Sequence, residues 1–282
     1  MSVRANSRRI SDTEYENTYE KMYVYITGKI KYLPLRYNKY LGKPFMEALN
    51  RTYKNIMSMT TLYNLGKGKS IDRFRLCSIV FDDFVEIISL SYTFWNLSGK
   101  RNDIKYVEPH SRIYWSELIN KEIILLYGVM KKCNGFKNYK DKEMIKIPYM
   151  KPYTNKEIKE IDFLKRLYDI QTIVYKRAIQ VSKNFNDAQM EMLVDLSRSA
   201  LYNASSANRI FVNNNEKLFK KRGKYFSEAI SNLYAMNRPV KLLSFDNIFC
   251  EKDLATICSN MNECTKIMRS IKESDKLRFS TQ

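Results

Sequence analysis

The chain has 282 residues, enough for one large domain or two of ordinary size, and its 49 Lys and Arg against 30 Asp and Glu leave a formal net charge of +19. This positive excess, present in both halves, predicts an anionic partner, and nucleic acid is the first candidate because its phosphates bind basic side chains whatever the base sequence. The five cysteines are odd in number and form no C-x-x-C pair, and the chain has a single histidine, which argues against a disulfide framework and a zinc site. We expect the cysteines to be small buried residues of a protein in a reducing compartment.

The spacing of apolar residues predicts an all-α fold. Eight glycines and six prolines are few for this length, and apolar residues recur at spacings of three and four. The longest apolar run, Ile123–Met130, has eight residues, against the ~20 that span a bilayer. We therefore expect a helical, cytoplasmic protein without membrane contact.

Four helices are predicted in the first half. Ser11 and Glu14 have the spacing of a capping box, and Pro34 ends the helix that they begin. The second helix begins between Arg36 and Pro44. The second helix is predicted to end at the G-K-G of residues 66–68, and the third to begin at Ser70. The fourth is predicted from about Ser111 to Lys132.

Four further helices are predicted after a polar, proline-bearing segment at residues 134–153. Thr154 with Glu157, and Asn186 with Gln189, again have capping-box spacing and begin the first two. The third is predicted at Lys217–Asn237, ended by Arg238 and Pro239, and the fourth at Asp253–Ile271.

An internal repeat relates the two halves. Residues 84–92 read FVEIISLSY and residues 226–234 read FSEAISNLY, with five of nine positions identical. Upstream, Arg51 and Ser58 match Arg198 and Ser205 in the same order. We predict two tandem antiparallel four-helix bundles. The predicted divisions are a disordered basic arm at 1–11, bundle 1 at 12–133, a linker at 134–153, bundle 2 at 154–275 and a tail at 276–282.

An acidic motif offers one enzymatic interpretation. Asp82, Asp83 and Glu86 form D-D-x-x-E on a helix, the arrangement with which isoprenoid synthases hold magnesium and pyrophosphate. The repeat places Lys224 and Tyr225 where the two aspartates stand, so a solvated helix face is the favoured interpretation. No other set of residues indicates catalysis, a cofactor or a metal, and we expect a protein that is not an enzyme.

Positive charge alternates with aromatic residues in two segments, Lys31–Phe45 and Lys217–Phe226. Lys and Arg can bind phosphates there, while aromatic rings can stack on the bases of RNA or single-stranded DNA. For a single aromatic residue, a place in the core is the more common role. The predicted nucleic-acid-binding residues are Lys31, Arg36, Lys39, Lys43, Arg51, Lys217, Lys220, Lys221, Arg222 and Lys224.

The first half also carries a series of features in a recognisable order. A helix ends at residues 32–34, RYNKYLG follows at 36–42, Arg51 lies in the next helix, and the third helix holds Phe84 and Glu86. In this it resembles small bacterial four-helix-bundle proteins, among them the accessory variability determinant (Avd) of diversity-generating retroelements and the bundle proteins encoded in intervening sequences of bacterial ribosomal RNA. The resemblance extends over nearly all of each half, through degenerate positions.

The resemblance implies a basic, non-catalytic oligomer that binds a reverse transcriptase and its template-region RNA and supports mutagenic cDNA synthesis. Two features depart from the family: its members are single bundles, and the second half here keeps F-x-E and Arg198 but lacks the P-x-R-Y-x-x-x-L-G corner. The alternatives are a helical enzyme acting on a pyrophosphate through Asp82, Asp83 and Glu86, and a basic scaffold that binds an acidic protein.

Overall fold

The computed structural model describes residues 14–65, 70–98, 107–134, 161–181, 188–210, 212 and 215–280. This part of the chain is helical, which confirms the all-α prediction. The helices are α1 (Glu14–Ile30), the short α2 (Leu35–Tyr37), α3 (Lys43–Asn64), α4 (Ser70–Leu97), α5 (Pro109–Asn134), α6 (Asp162–Val181), α7 (Ala188–Arg209), α8 (Glu216–Phe245) and α9 (Glu251–Ser280), with a π-helical turn at Asn38–Gly42 between α2 and α3.

Several predicted features lie outside the described residues. They are the basic arm, the serine of the first capping box, the glycines after α3, residues 135–153 of the linker, the capping box of α6 and Asn186 of the capping box of α7.

Each half forms a closed circuit of four long helices. In the first half, α1 packs on α3, α3 on α4, α4 on α5 and α5 on α1. In the second half, α6, α7, α8 and α9 contact one another in the same order. The first half is centred on the fully buried Trp115, whose ring lies 5.8 Å from Phe45, 5.6 Å from Phe94 and 5.5 Å from Trp95, measured between centroids.

The two phenylalanines of the internal repeat have equivalent surroundings. Phe84 on α4 lies 6.1 Å from Tyr19 on α1, and Phe226 on α8 lies 6.1 Å from Phe163 on α6, each an edge contact with the first long helix of its own half. The two glutamates of the repeat differ, since the side chain of Glu86 is 14% exposed and that of Glu228 is 45% exposed. Phenylalanine is thus the packing residue of the repeat, and the glutamate is not.

Helix α4 joins the halves by packing on α6 and α7. The hydroxyls of Ser89 and Thr93 donate to Oε1 of the buried Gln171 at 2.9 and 3.2 Å. The rings of Tyr92 and Tyr168 lie 4.7 Å apart. The buried side chains of both halves accordingly form one continuous core, and two separate bundles stay a prediction.

The π-helical turn lies within the RYNKYLG segment and ends at its glycine. A Cβ atom at Gly42 would overlap Oδ1 of Asn38, so any other residue there would require the Asn38 side chain to move. The wider π turn keeps Tyr40 and Leu41 in the core while the chain passes from α2 into α3.

Two predicted helix ends in the second half are wrong. Helix α8 continues through Pro239 to Phe245. Proline removes one backbone donor, but the buried stripe of Met236, Val240 and Leu243 continues across it, and this packing offsets the lost hydrogen bond. Helix α9 extends nine residues beyond the predicted end and includes the first residues of the predicted tail.

Candidate nucleic-acid interface

The first basic segment buries most of its aromatic residues. Tyr37, Tyr40 and Phe45 are in the core, as expected for residues that hold the corner between α1 and α3, and they offer no face for stacking on a base. Tyr32 is the exception, since it is 79% exposed and Nζ of Lys31 lies 4.6 Å from its ring centroid.

The cations of this segment are divided between internal contacts and solvent. Arg36 lies over the ring of Tyr37 at 5.0 Å, and Lys43 is exposed at the start of α3. Lys39 forms an ion pair with Glu191 of α7, and the hydrogen bond between the two side chains raises the pKa of Lys39. The charge of Lys39 is therefore compensated within the protein, and it serves as a contact between the halves.

Arg51 binds two carboxylates of the acidic motif. Its Nε lies 2.6 Å from Oδ1 of Asp83 and its Nη2 lies 2.5 Å from Oε2 of Glu86. Asn55 donates to the other oxygen of Asp83 at 3.0 Å. Burial raises the pKa of Asp83, and the hydrogen bond and charge of Arg51 act in the opposite direction. Arg51 is one of the residues predicted from sequence to bind nucleic acid, but in the structure its guanidinium contacts the carboxylates of Asp83 and Glu86.

Two arginines of α7 complete the contacts of the acidic motif. Arg209, 3% exposed, forms an ion pair with Asp82 and donates from Nη1 to the carbonyl of Phe81 at 2.8 Å. Arg198 reaches Glu86 with its Nε 3.8 Å from Oε1. Each carboxylate of the motif thus faces an arginine, and no group of three or more His, Cys, Asp or Glu suited to a metal ion exists among the described residues. The motif joins α3, α4 and α7 electrostatically.

The second basic segment forms the start of α8. The side chain of Asn215 caps the helix by accepting from the backbone N–H groups of Lys217 and Leu218. Of its aromatic residues, Phe226 is fully buried, while Tyr225 is half-buried and donates to Asp82 at 3.3 Å. Burial and the charge of Asp82 raise the pKa of Tyr225 to about 12, so its hydroxyl stays a donor at neutral pH.

Two lysines of the second basic segment have acidic partners on the same helix. Lys220 forms an i,i+4 pair with Glu216 at 2.6 Å, and Lys224 lies 3.8 Å from Glu228. These lysines are exposed, and such surface pairs contribute little to stability because water screens the two charges, so they leave the lysines able to bind phosphate. Lys217 is exposed and Lys221 is half-buried.

Arg222 has a different role from the neighbouring lysines. Its guanidinium is largely buried, with Nε 3.0 Å from Oδ2 of Asp275 on α9, an ion pair without a directed hydrogen bond, and Nη1 donates to the carbonyl of Ile210 at 3.0 Å. Burial lowers the pKa of Arg222 and raises that of Asp275. Arg222 holds the start of α8 against the end of α9.

Helix α9 adds a row of cations that the sequence analysis missed. It runs antiparallel to α8: Lys272 donates to Ser227 at 2.6 Å, and Arg269 donates to the hydroxyl of Tyr234 at 2.7 Å. We define the basic ribbon as residues 216–224 of α8 with residues 263–278 of α9, which hold ten cations and four carboxylates. Its α9 cations are Lys266, Arg269, Lys272, Lys276 and Arg278. They could be placed only once the pairing of the two helices was known.

The structure does not bring the two predicted basic segments together. Lys39 contacts Glu191 in the first turn of α7, whereas α8 begins just after the last turn of α7. The 18 residues from Glu191 to Arg209 span roughly 27 Å of helix. The two predicted basic segments therefore lie near opposite ends of α7.

The remaining sequence-based expectations have mixed outcomes. Cys77, Cys133 and Cys264 are buried as predicted, but Cys250 and Cys258 are exposed, so their interpretation as core residues is wrong. Among the described helices, none combines the length and apolar composition that crossing a bilayer requires.

Comparison with known proteins identifies no relative. No protein family matches the chain, and neither the characterised proteins nor the solved structures include a significant match.

Proposed function

We propose that this chain is a non-catalytic RNA-binding protein that acts as the accessory partner of a reverse transcriptase in a diversity-generating retroelement. The observation that supports the RNA-binding part most directly is the basic ribbon, in which ten cations from two adjacent helices outnumber four carboxylates. Phosphate neutralisation by Lys and Arg supplies most of the affinity of such surfaces. The choice of RNA, the reverse transcriptase and an oligomeric state come from the resemblance to the Avd family.

The acidic motif favours this proposal over an enzyme acting on pyrophosphate. Magnesium would have to displace Arg51, Arg198 and Arg209 from Asp83, Glu86 and Asp82. Ion pairs that are partly or fully buried are costly to break because a charge is left uncompensated. The motif is therefore better explained as a structural contact between helices.

RNA binding is expected to depend strongly on salt. With about six phosphate contacts, the affinity for a structured RNA should fall roughly a thousandfold between 50 and 200 mM salt. The reason is that Lys and Arg side chains release the counterions condensed on the RNA, and this release becomes less favourable as the salt concentration rises. Fluorescence anisotropy at several salt concentrations measures the slope. Absent or salt-independent binding would refute the proposal, and equally strong binding of a purified acidic protein would favour the scaffold function.

The ribbon should account for that binding. Replacing Lys217, Lys220 and Lys221 with Glu should weaken RNA binding by at least tenfold and leave helicity by circular dichroism unchanged, since two of these side chains are exposed and none is fully buried. Arg222 is left intact because its ion pair with Asp275 holds α8 against α9. The matched control replaces the exposed Lys21, Lys54 and Lys252 and changes the net charge equally. Equal losses in both variants would show that only total charge matters, and no loss would redirect attention to Arg36, Lys39 and Lys43.

The partnership with a reverse transcriptase needs its own test. We expect the two proteins, produced together, to elute as one complex in size-exclusion chromatography, and we expect the complex to survive ribonuclease treatment. A complex that ribonuclease dissolves would show that the two proteins share only an RNA. Separate elution without ribonuclease would refute the partnership and leave the RNA-binding proposal intact.

A further inference from the structure

An open groove of about 460 Å³ lies along the basic ribbon. It is lined by Arg222 of α8 and, from α9, by Lys266, Ile267, Ser270, Ile271, Ser274, Asp275 and Arg278. The lining thus contains three cations and two hydroxyls against one carboxylate. These are the groups that bind phosphate oxygens through charge and hydrogen bonds.

The cations of the groove are held in different ways. Arg222 is fixed by Asp275 and by the carbonyl of Ile210, so it forms a rigid part of the wall. Lys266 is 73% exposed, and its 3.0 Å pair with Glu263 is of the weak surface kind. The groove therefore combines a preorganised arginine with a lysine that can move toward a ligand.

A pair of stacked aromatic rings lies one helical turn from Arg222 of the groove. Phe219 precedes Arg222 by three residues, a spacing that places both side chains on the same face of α8. Phe219 stacks on Phe279 of α9, with centroids 4.9 Å apart and planes only 6° from parallel. Both rings are half-buried, and each therefore has part of its surface in contact with solvent.

We propose that this groove binds a single-stranded segment of nucleic acid, with its phosphates along Arg222, Lys266 and Arg278 and one base stacked on the Phe219–Phe279 pair. The inference rests on the proposed RNA-binding function and specifies its strand state. Aromatic side chains beside a cationic groove are the means by which proteins bind unpaired strands, because every unpaired base has an open face. In a duplex that face is covered by neighbouring base pairs, so the aromatic pair favours a single strand.

Asp275 limits the affinity of the groove. Its carboxylate forms an ion pair with Arg222 and repels phosphate, so the phosphates of a bound strand must compete with Asp275 for the Arg222 guanidinium. Asp275→Asn should therefore strengthen binding several-fold. An increase of affinity is informative because structural damage would not produce it.

The test uses the full chain and two labelled ligands. One is a single-stranded uridine oligomer of about 12 nucleotides, within the ~4 to 16 typical of such sites, and the other is a blunt-ended duplex of similar length without unpaired bases. Lys266→Glu and Phe279→Leu are compared with Lys252→Glu and Phe245→Leu, which alter exposed residues at the other ends of the same two helices. We expect Phe279→Leu to weaken single-strand binding about 5- to 100-fold, the loss of one base stack, with little change for the duplex. Both control variants should bind as the unaltered chain does.

The outcomes separate this inference from the function on which it rests. Unaltered single-strand binding in Lys266→Glu and Phe279→Leu would overturn the groove while RNA binding stands, and Lys266→Glu decides the matter if Phe279→Leu fails to fold. Tighter binding of the duplex than of the single strand would also overturn it. Competition by AMP at the same concentration as the oligomer would assign the groove to a mononucleotide instead. Absence of RNA binding by the unaltered chain would refute both proposals.

Discussion

Replacing Arg209 with methionine should lower the free energy of unfolding by about 3–5 kcal/mol, the usual cost of removing one partner from a buried ion pair. The substitution leaves Asp82 and the carbonyl of Phe81 without their guanidinium partner. Methionine keeps much of the apolar volume of the arginine stem, so the loss reports on charge and hydrogen bonds more than on packing. Urea denaturation followed by circular dichroism measures the change.

An exposed pair on the next helix provides the control for Arg209. Lys220→Met breaks the pair with Glu216 at the surface and should change the free energy of unfolding far less than Arg209→Met does. Adding Asp82→Asn to Arg209→Met should restore part of the lost stability, because the uncompensated carboxylate is then removed. Equal, small losses for Arg209→Met and Lys220→Met would show that α4 and α7 are not joined by this pair.

The second large effect concerns Glu122, a carboxyl group that lies in the core of the first half. It is fully buried on α5, and neither of its oxygens has a hydrogen-bond partner among the described residues. Burial raises the pKa of Glu122 well above its ordinary value of 4.5, and the nearby Lys121 only partly opposes this. The folded chain therefore keeps a proton that the unfolded chain releases as the pH rises.

This raised pKa sets the sign of the pH dependence. Above pH 4.5 the unfolded state binds fewer protons at this site than the folded state, so rising pH favours unfolding. The contribution of Glu122 to stability should fall by up to about 1.4 kcal/mol per pH unit until the pKa of the folded state is reached. The contribution of Glu122 to stability is therefore largest below pH 4.5, the ordinary pKa of this carboxyl group in the unfolded chain.

Glu122→Gln should remove this dependence. Relative to the unaltered chain, the variant should gain stability progressively in urea denaturations from about pH 5 to pH 8, since glutamine cannot ionise. Glu117→Gln, an exposed position on the same helix, removes one carboxylate without altering the core and should give a curve parallel to that of the unaltered chain. Parallel curves for Glu122→Gln would show that the buried group does not titrate with folding.

Most helices were predictable because their apolar spacing is a local property. The stripe of Phe84, Ile87 and Ile88 predicts α4, and the observed helix Ser70–Leu97 contains it. Pro239 shows the limit of local rules. Proline disfavours a helix interior, yet packing on both sides of it carries α8 onward to Phe245. The end of α9 is similar, because contacts with α8 at Phe219 and Arg222 extend the helix past residue 271.

The candidate site was predictable only in part. The cluster at Lys217–Lys224 is local and could be found by counting charges. The cations of α9 are spread along that helix at intervals of two to four residues, so they form no cluster until α9 is placed beside α8. The ion pairs of the acidic motif could not be predicted for the same reason, since Arg51 and Arg209 reach carboxylates 32 and 127 residues away in the sequence.

The sequence by itself determined an all-α chain of strongly positive charge with a repeated helix, because composition and apolar spacing act over a few residues. Tertiary structure decided which charges face solvent. It paired Arg51, Arg198 and Arg209 with the acidic motif, and it placed α8 beside α9 to form the ribbon. The physical reason is that a charge is neutralised or left available by its neighbours in space, and most of those neighbours here lie far away along the chain.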